Sequence, residues 1–207
     1  PKSNIIVRYV EFMDIFPVLN DGRKVANVLL EALYWKQYSI PDIVLIPCNS
    51  IHIAYNYLTQ AFGDRFIHIN QAVITTIDQE RRQGLFLILG TSTTINAGFY
   101  QEGLRQLGYG AISLPPEDQT WLDNFIFDEL VRGTMNFGHL QTLRELEARY
   151  LRLLGVDHVI LACTELCYLT RVFSKPEPYE VDSLQALHDA GLERLQYLFE
   201  NRSNHAN

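Results

Sequence analysis

Two of the three cysteines in this chain occupy matching sequence contexts. Cys48 ends the segment PDIVLIPC and Cys163 ends the segment VDHVILAC, and each cysteine comes six positions after an aspartate. In both segments the apolar run predicts a buried strand, and the polar residues after the cysteine predict the start of a helix. The two thiols are therefore predicted to lie at equivalent places, at the carboxyl ends of strands in two related units.

Thiols in such places favour proton-transfer chemistry. Backbone N–H groups and the positive dipole at a helix N-terminus stabilise a thiolate, so a thiol there can act as a base near neutral pH. Two acid/base groups on opposite sides of an α-carbon can remove its proton from one face and supply a proton to the other. Cys48 and Cys163 therefore predict racemisation, with Asn49, Ser50 and Thr164 as hydrogen-bond donors for the substrate carboxylate.

Short apolar stretches alternate with longer segments of helical periodicity along the chain. This alternation is typical of parallel strands joined by crossover helices, so the predicted fold class is α/β. The predicted strands are NIIVRYV, DIVLIP, RFIHI, LFLILG and HVILA. The predicted helices span roughly residues 22–37, 50–61, 72–83, 96–107, 118–132, 139–154, 165–173 and 183–199.

Two breaks in the alternation divide the chain. They lie around residues 82–84 and in the loop SKPEPYE at residues 174–180, where turn-forming residues interrupt the periodicity. We predict a first α/β domain from residues 1–82 together with 179–207, and a second α/β domain from residues 83–178.

Composition argues against several classes of function. The chain has 207 residues, is 47% hydrophobic and carries a formal net charge of −7, and no run of Lys or Arg forms a surface for nucleic acid or an anionic membrane. Its apolar runs fall far short of the roughly 20 residues that span a bilayer. Because no charged-then-apolar leader is present, a cytoplasmic location is predicted. Three widely spaced cysteines predict neither a disulfide framework nor a metal site of the zinc type.

Four segments together resemble the aspartate/glutamate racemase superfamily. They are CNSIH, LGTSTTINAGFY, ACTEL and the closing stretch YEVDSLQALHDAGLERL, and they occur in the family's order over about residues 4–199. The resemblance implies two pseudo-symmetric parallel-sheet α/β domains with the active site in the cleft between them. It also implies a small-molecule amino-acid substrate, no pyridoxal phosphate or other cofactor, and pairing as a homodimer.

The resemblance also assigns roles to individual residues. Cys48 and Cys163 resemble the two catalytic thiols, and Asn49 and Ser50 resemble the pair that binds the substrate's amino and carboxylate groups. The remaining predicted substrate-binding residues are Thr91, Thr94, Thr164 and Glu165. Because glutamate racemases usually carry His at the position of Glu165, the resemblance favours the aspartate racemase branch. The expected reaction is interconversion of L- and D-aspartate, or of a close acidic amino acid.

Three departures from the family pattern leave other functions open. The glycine-rich G-G-M segment that lines the family's cleft does not occur in this sequence. Leu19 and Thr134 occupy the positions at which aspartate racemases carry residues that hold the side-chain carboxylate, although Arg23 or Arg132 could substitute. One alternative is therefore a racemase or isomerase for a non-acidic substrate, and another is a catalytically silent relative that binds a carboxylate.

Several nearby residues have ordinary structural explanations. Cys167 is one helical turn beyond Cys163 and is interpreted as a core residue. His52 could tune the Cys48 thiolate, but a histidine near a helix start is commonly hydrogen-bonded locally. The GTSTT segment lacks the lysine of a phosphate-binding loop, and Asp182 with Ser183 is interpreted as a helix cap.

Overall fold

The computed structural model describes residues 5–8, 10–33, 41–173 and 176–204. Its helices, α1 to α10, are Phe12–Ile15, Gly22–Leu33, Tyr55–Phe62, Ile69–Gln79, Ser92–Ala97, Phe99–Gln106, Pro116–Asn124, Phe137–Leu153, Thr164–Phe173 and Ser183–Asn204. Short 3-10 segments are present at Phe16–Val18, Ser50–Ala54 and Gly63–Arg65, and a π-helical segment continues α7 at Phe125–Leu130. The end of the predicted helix 22–37 lies outside the described residues.

A parallel sheet forms the centre of the fold. Its strands are β1 (Leu85–Gly90), β2 (Gly110–Ser113), β3 (His158–Ala162) and β4 (Glu180–Asp182), in the order β2-β1-β3-β4. Each strand is followed by a helix, so the connections are crossovers and the predicted α/β class is confirmed.

Both faces of this sheet are buried, which explains why β1 and β3 are nearly continuous apolar runs. On β1, Leu87 and Leu89 pack with α7, α8 and α9, whereas Phe86 and Ile88 pack with α4, α6 and α10. All four side chains are fully buried. This alternation of faces fixes the register of β1 against both of its neighbours.

The last strand and the last helix contact different parts of the chain. Strand β4 pairs with β3, so residues 180–182 belong to the sheet formed within residues 83–178, whereas the sequence-based division placed them with residues 1–82. Helix α10 then packs against α4, which lies in residues 1–82, the N-terminal part of the chain. The C-terminal segment therefore joins the two parts, and the exact domain boundaries stay a prediction.

The N-terminal part contains less strand than the sequence predicts. Segments DIVLIP and RFIHI meet at one parallel bridge between Val44 and Phe66. Residues 5–8 are described and form no strand, and Ile5, Ile6 and Val7 are exposed. Apolar and β-branched residues favour an extended chain, but a strand also needs a second strand to form a ladder with, and the described residues 5–8 belong to no ladder.

Two buried histidines connect these segments. His52 accepts a hydrogen bond from the Ile69 N–H at Nδ1 (3.4 Å), and its Nε2 lies 3.1 Å from the Ile46 carbonyl oxygen. His68 accepts from the Asn70 N–H at Nδ1 (3.0 Å), and the two rings are 4.6 Å apart. Burial lowers the pKa of His52 to about 4, and burial together with the charge of His52 lowers that of His68 to about 3.

These two imidazoles are expected to stay neutral in the folded protein well below the pH at which free histidine is protonated. Histidine in an unfolded chain titrates near pH 6.5, so the unfolded state takes up these protons first as the pH falls. Their contribution to stability is complete above about pH 6.5 and is lost as the pH falls towards their folded-state pKa values. Glu147 has the opposite effect on stability. Burial raises its pKa to about 7, so its contribution to stability increases as the pH falls from about 7 to about 4.5.

Because these two effects oppose each other, NMR of the imidazole resonances is the appropriate measurement. The signals of His52 and His68 should remain constant from about pH 8 to pH 5 in the folded protein. In concentrated urea the same signals should titrate near pH 6.5. A folded-state midpoint near 6.5 for both rings would contradict the burial argument.

Candidate active site

Three neighbouring strands end at the same edge of the sheet. Gly90 of β1 pairs with Ala162 of β3, so Thr91 and Cys163, the residues that follow them, lie next to each other. Asp182 ends β4 beside β3, and Ser183 follows it. In parallel sheets, ligands commonly bind outside the carboxyl ends of the strands.

The two predicted catalytic cysteines have equivalent backbone surroundings. The N–H groups of Ser50 and Ile51 are directed at the Cys48 sulfur, where the 3-10 segment begins. The N–H groups of Glu165 and Leu166 are directed at the Cys163 sulfur, at the start of α9. These are the second and third residues after each cysteine, so the sequence repeat corresponds to a structural repeat.

A cluster of three hydroxyl groups connects the Cys48 segment to the sheet edge. The Ser50 hydroxyl lies 2.8 Å from that of Thr91 and 3.2 Å from that of Thr94. The Thr91 and Thr94 hydroxyls are 3.2 Å apart, and all three side chains are buried. These predicted substrate-binding residues therefore come together at one place, and their hydroxyls can donate to an anionic group.

Asn49 connects the same segment to two further elements. Its Oδ1 accepts a hydrogen bond from the Tyr100 hydroxyl at 2.5 Å, and its Nδ2 donates to the Ser183 hydroxyl at 3.0 Å. All three residues are buried. The side-chain amide of Asn49 is therefore fixed in one orientation, beside Cys48.

Tyr100 and Ser183 were not among the predicted site residues. Tyr100 is the last residue of the LGTSTTINAGFY segment, so its motif was a signal, but its contact with Asn49 joins positions 51 residues apart. Ser183 was interpreted as a helix cap, and its contact with Asn49 joins positions 134 residues apart. Contacts of this separation depend on the tertiary fold, which local patterns do not specify.

The carboxylate of Glu165 is the main charge beside the thiols. Its Oε2 accepts hydrogen bonds from the Cys163 thiol and from the Thr164 hydroxyl, both at 3.0 Å. Burial and then the Glu165 charge raise the pKa of Cys48 to about 11. The same two causes, in the same order, raise the pKa of Cys163 well above its usual value. Contrary to the expectation of thiols that act as bases near neutral pH, the backbone N–H groups lower these two pKa values by less than burial raises them. Glu165 therefore lies within electrostatic reach of both sulfur atoms.

The positions at which a clamp for a distal carboxylate is expected carry no positive charge. Leu19 is buried in the apolar core of the N-terminal part. Thr134 is exposed, and its hydroxyl donates to the Glu129 carbonyl oxygen. Arg23 is exposed, and the exposed Arg132 guanidinium donates to Asp128 at 3.3 Å.

The nearby Cys167 and His52 have structural roles. Cys167 is fully buried in the core against β3, and its thiol donates to the Leu161 carbonyl oxygen at 3.4 Å. His52 is held between Ile46 and Ile69 by the contacts described above. Both observations agree with the local explanations that the sequence suggested.

The family model for Asp/Glu/Hydantoin racemase matches residues 3–189. Because this match covers most of the chain, the chain belongs to the Asp/Glu/hydantoin racemase family, as the sequence motifs indicated. A curated relative, the broad specificity amino-acid racemase RacX of Bacillus subtilis (strain 168), is 26% identical over 127 residues, which are 60% of this chain and 52% of RacX. The chain therefore spans about half the length of that relative.

Solved structures of racemases share the fold. An aspartate racemase homologue from Pyrococcus horikoshii OT3 superposes with a TM-score of 0.69 and 23% identity, over 92% of this chain and 82% of that chain. The aspartate racemase of Picrophilus torridus has a TM-score of 0.54 and 20% identity, over 80% of this chain and 67% of that chain. The glutamate racemase of Campylobacter jejuni subsp. jejuni has a TM-score of 0.58 and 22% identity, over 84% of this chain and 69% of that chain. At these identities the likeness shows the fold alone.

In the part of the chain that the structure describes, no helix combines the length and the apolar character that crossing a bilayer requires.

Proposed function

We propose that this chain is a cofactor-independent amino-acid racemase in which Cys48 and Cys163 alternate as base and acid at the α-carbon. The observation that carries the proposal is the matched pair of thiols, each facing two backbone N–H groups at the start of a helical segment. One thiolate takes the α-proton while the other thiol supplies a proton from the opposite face. Reversing these roles converts the other enantiomer.

The polar groups at the same edge of the sheet support this chemistry. Proton removal from the α-carbon moves negative charge onto the substrate carboxylate, so donors placed there lower the barrier. The buried hydroxyls of Ser50, Thr91 and Thr94 form such a group. Asn49, held by Tyr100 and Ser183, adds an amide that cannot easily rotate away.

Aspartate, or a close acidic amino acid, is the first substrate we propose. Glu165 stands where the sequence resemblance distinguishes the aspartate branch from glutamate racemases. Two structural neighbours are named as an aspartate racemase and an aspartate racemase homologue, which agrees with this choice. Assembly as a homodimer stays a prediction of the resemblance.

A non-acidic amino acid is the second candidate substrate. Leu19 is buried in apolar core and Thr134 bonds to backbone, so neither offers a positive charge to a side-chain carboxylate. The relative RacX is named as a racemase of broad specificity. Both substrates use the same thiols, so only the pocket around the side chain differs between these candidates.

Incubation with single amino acids in D₂O tests the function and separates the two substrates. The α-proton signal of L-aspartate should disappear in the NMR spectrum as solvent deuterium replaces it, and the D-enantiomer should accumulate. Loss of the α-proton from a neutral amino acid such as L-alanine, at least tenfold faster than from L-aspartate or L-glutamate, would favour the second candidate. A double Cys48→Ala/Cys163→Ala protein is the matched control. No exchange with any of the twenty amino acids would contradict the proposed function.

A further inference from the structure

The two halves of the site differ at one position. Ser50 is the second residue after Cys48, and Glu165 is the second residue after Cys163. The Ser50 hydroxyl bonds away from its thiol, to Thr91 and Thr94. The Glu165 carboxylate bonds back to its own thiol. Equivalent backbone positions therefore place a neutral group beside one sulfur atom and a negative charge beside the other.

The hydrogen bond between Cys163 and Glu165 gives the two thiols different tendencies to lose their protons. A carboxylate accepts the Cys163 S–H at 3.0 Å, and this bond exists only while the thiol keeps its proton. Removal of that proton would leave two negative charges at hydrogen-bond distance. Glu165 acts on Cys48 through its charge, and on Cys163 through both its charge and this bond.

We propose that Glu165 is a positioning residue that makes Cys163 harder to ionise than Cys48, so that Cys48 is the first of the two thiols to ionise and acts as the first base, with Cys163 as the first acid. This inference rests on the proposed function. In the first half-reaction the C–H bond at the α-carbon breaks and its proton passes to the Cys48 thiolate. The electron pair left on carbon then takes the proton of the Cys163 S–H bond, and Cys163 becomes the thiolate. A proton from water returns to Cys163 and Cys48 loses one to water, so the form with a Cys48 thiolate and a Cys163 thiol is restored with no net change.

Other titratable groups near these atoms do not replace Glu165. The Thr164 hydroxyl donates to the same Oε2 and so competes with the thiol for one oxygen. Tyr100 on α6 interacts electrostatically with Cys163, but burial raises its pKa well above the usual value, so its hydroxyl is neutral. Asp182 acts on Cys167, whose pKa burial raises to about 12.

The test is a pH titration of each thiol by NMR in protein labelled with ¹³C at the cysteine Cβ, without substrate. The three signals are assigned with single Cys→Ala variants. In the wild-type protein the Cys163 signal should keep its thiol position well above the pH at which a free cysteine titrates, because burial and the Glu165 charge raise its pKa. In Glu165→Gln, the Cys163 titration should begin at least about one pH unit lower, because a like charge at this distance has been removed. The Cys48 titration should move in the same direction by less.

Three further variants define the result. Glu193→Gln removes an exposed glutamate on α10 and should leave the Cys163 titration unchanged. Glu165→Asp keeps the charge with a shorter reach and should move the Cys163 titration less than Glu165→Gln does. Thr164→Val removes the competing hydroxyl and should not lower the Cys163 titration. Circular dichroism confirms that each variant is folded.

Two outcomes would overturn this inference. One is a Cys163 titration that is the same in wild-type and Glu165→Gln protein, and the other is a shift at Cys48 that equals or exceeds the shift at Cys163. Because the titration contains no substrate, it measures the effect of Glu165 on the Cys163 thiol whether or not the protein racemises amino acids. α-Proton exchange in D₂O together with an unshifted Cys163 would refute the role of Glu165 and leave the proposed function standing.

Discussion

Replacement of either Cys48 or Cys163 by alanine is expected to lower racemisation by about 10²- to 10⁴-fold, the usual contribution of a positioned acid or base. Inversion needs a proton acceptor on one face of the α-carbon and a donor on the other, so one thiol cannot supply both. The two losses should be of similar size, because each conversion uses both thiols, one as the base and the other as the acid. The measurement is circular dichroism or polarimetry of the substrate under initial-rate conditions.

The third cysteine provides the matched control. Cys167 lies in the same helix as Glu165, but it is fully buried, and its sulfur contacts the Leu161 carbonyl oxygen at 3.4 Å and the Ser183 hydroxyl at 3.6 Å. Cys167→Ser keeps a polar group for both contacts and should therefore retain racemisation within about threefold, a change too small for the loss of an acid or base. A Cys48→Ala or Cys163→Ala protein that racemises at the wild-type rate would rule out the two-thiol mechanism. Urea unfolding of all three variants separates loss of chemistry from loss of stability.

The central strands could be predicted because their environment is simple. LFLILG and HVILA are buried on both faces, so the apolar run itself specifies a strand in a parallel sheet. The place of Cys163 between a strand and a helix could also be predicted from the repeat. Cys48 precedes a 3-10 segment as the start of a helical turn predicts, but the segment before it has only one bridge, at Val44, in place of the predicted strand. Two predicted strands of the N-terminal part proved to share one bridge, because pairing depends on neighbours as well as on composition.

Elements defined by distant contacts could not be predicted in the same way. Strand β2 is short and only partly buried, and it is a strand because it pairs with β1. The predicted helix 96–107 is interrupted at Gly98, where φ is +73° and α5 ends before α6 begins. A glycine there was a visible signal, since glycine readily adopts a left-handed conformation at helix ends.

The residues of the candidate site also differ in whether local patterns or distant contacts define them. Asn49, Ser50, Thr91 and Thr94 follow or belong to motifs, so their types and positions indicated polar contacts with a ligand. The orientation of Asn49 depends on Tyr100 and Ser183, which come from distant parts of the chain. Sequence therefore predicted the polar groups that come together at this edge of the sheet better than the groups that hold them in place.

Substitution of Gly90 by alanine is expected to damage both stability and activity. A Cβ at this position would lie 2.6 Å from the Ala162 carbonyl oxygen and 3.2 Å from the Ala162 Cβ. The first of these contacts is with backbone, so β1 and β3 must separate at their carboxyl ends. We expect the free energy of unfolding to fall by about 1–3 kcal/mol, the usual effect of overpacking. Urea unfolding followed by circular dichroism measures this change.

The effect on activity follows from what comes next in the chain. Gly90 pairs with Ala162, so separation of the strands at this pair displaces Thr91 relative to Cys163. A displacement of about 1 Å can cost about 10²-fold in rate, and we expect a loss of that order in kcat. Gly155→Ala is the control, because its Cβ would meet open space and the residue precedes β3, at the opposite end of that strand from Ala162. Its left-handed φ of +65° should cost about 1 kcal/mol without changing kcat. Wild-type stability and kcat in Gly90→Ala would show that the sheet edge does not set the spacing between the hydroxyl cluster and the second thiol.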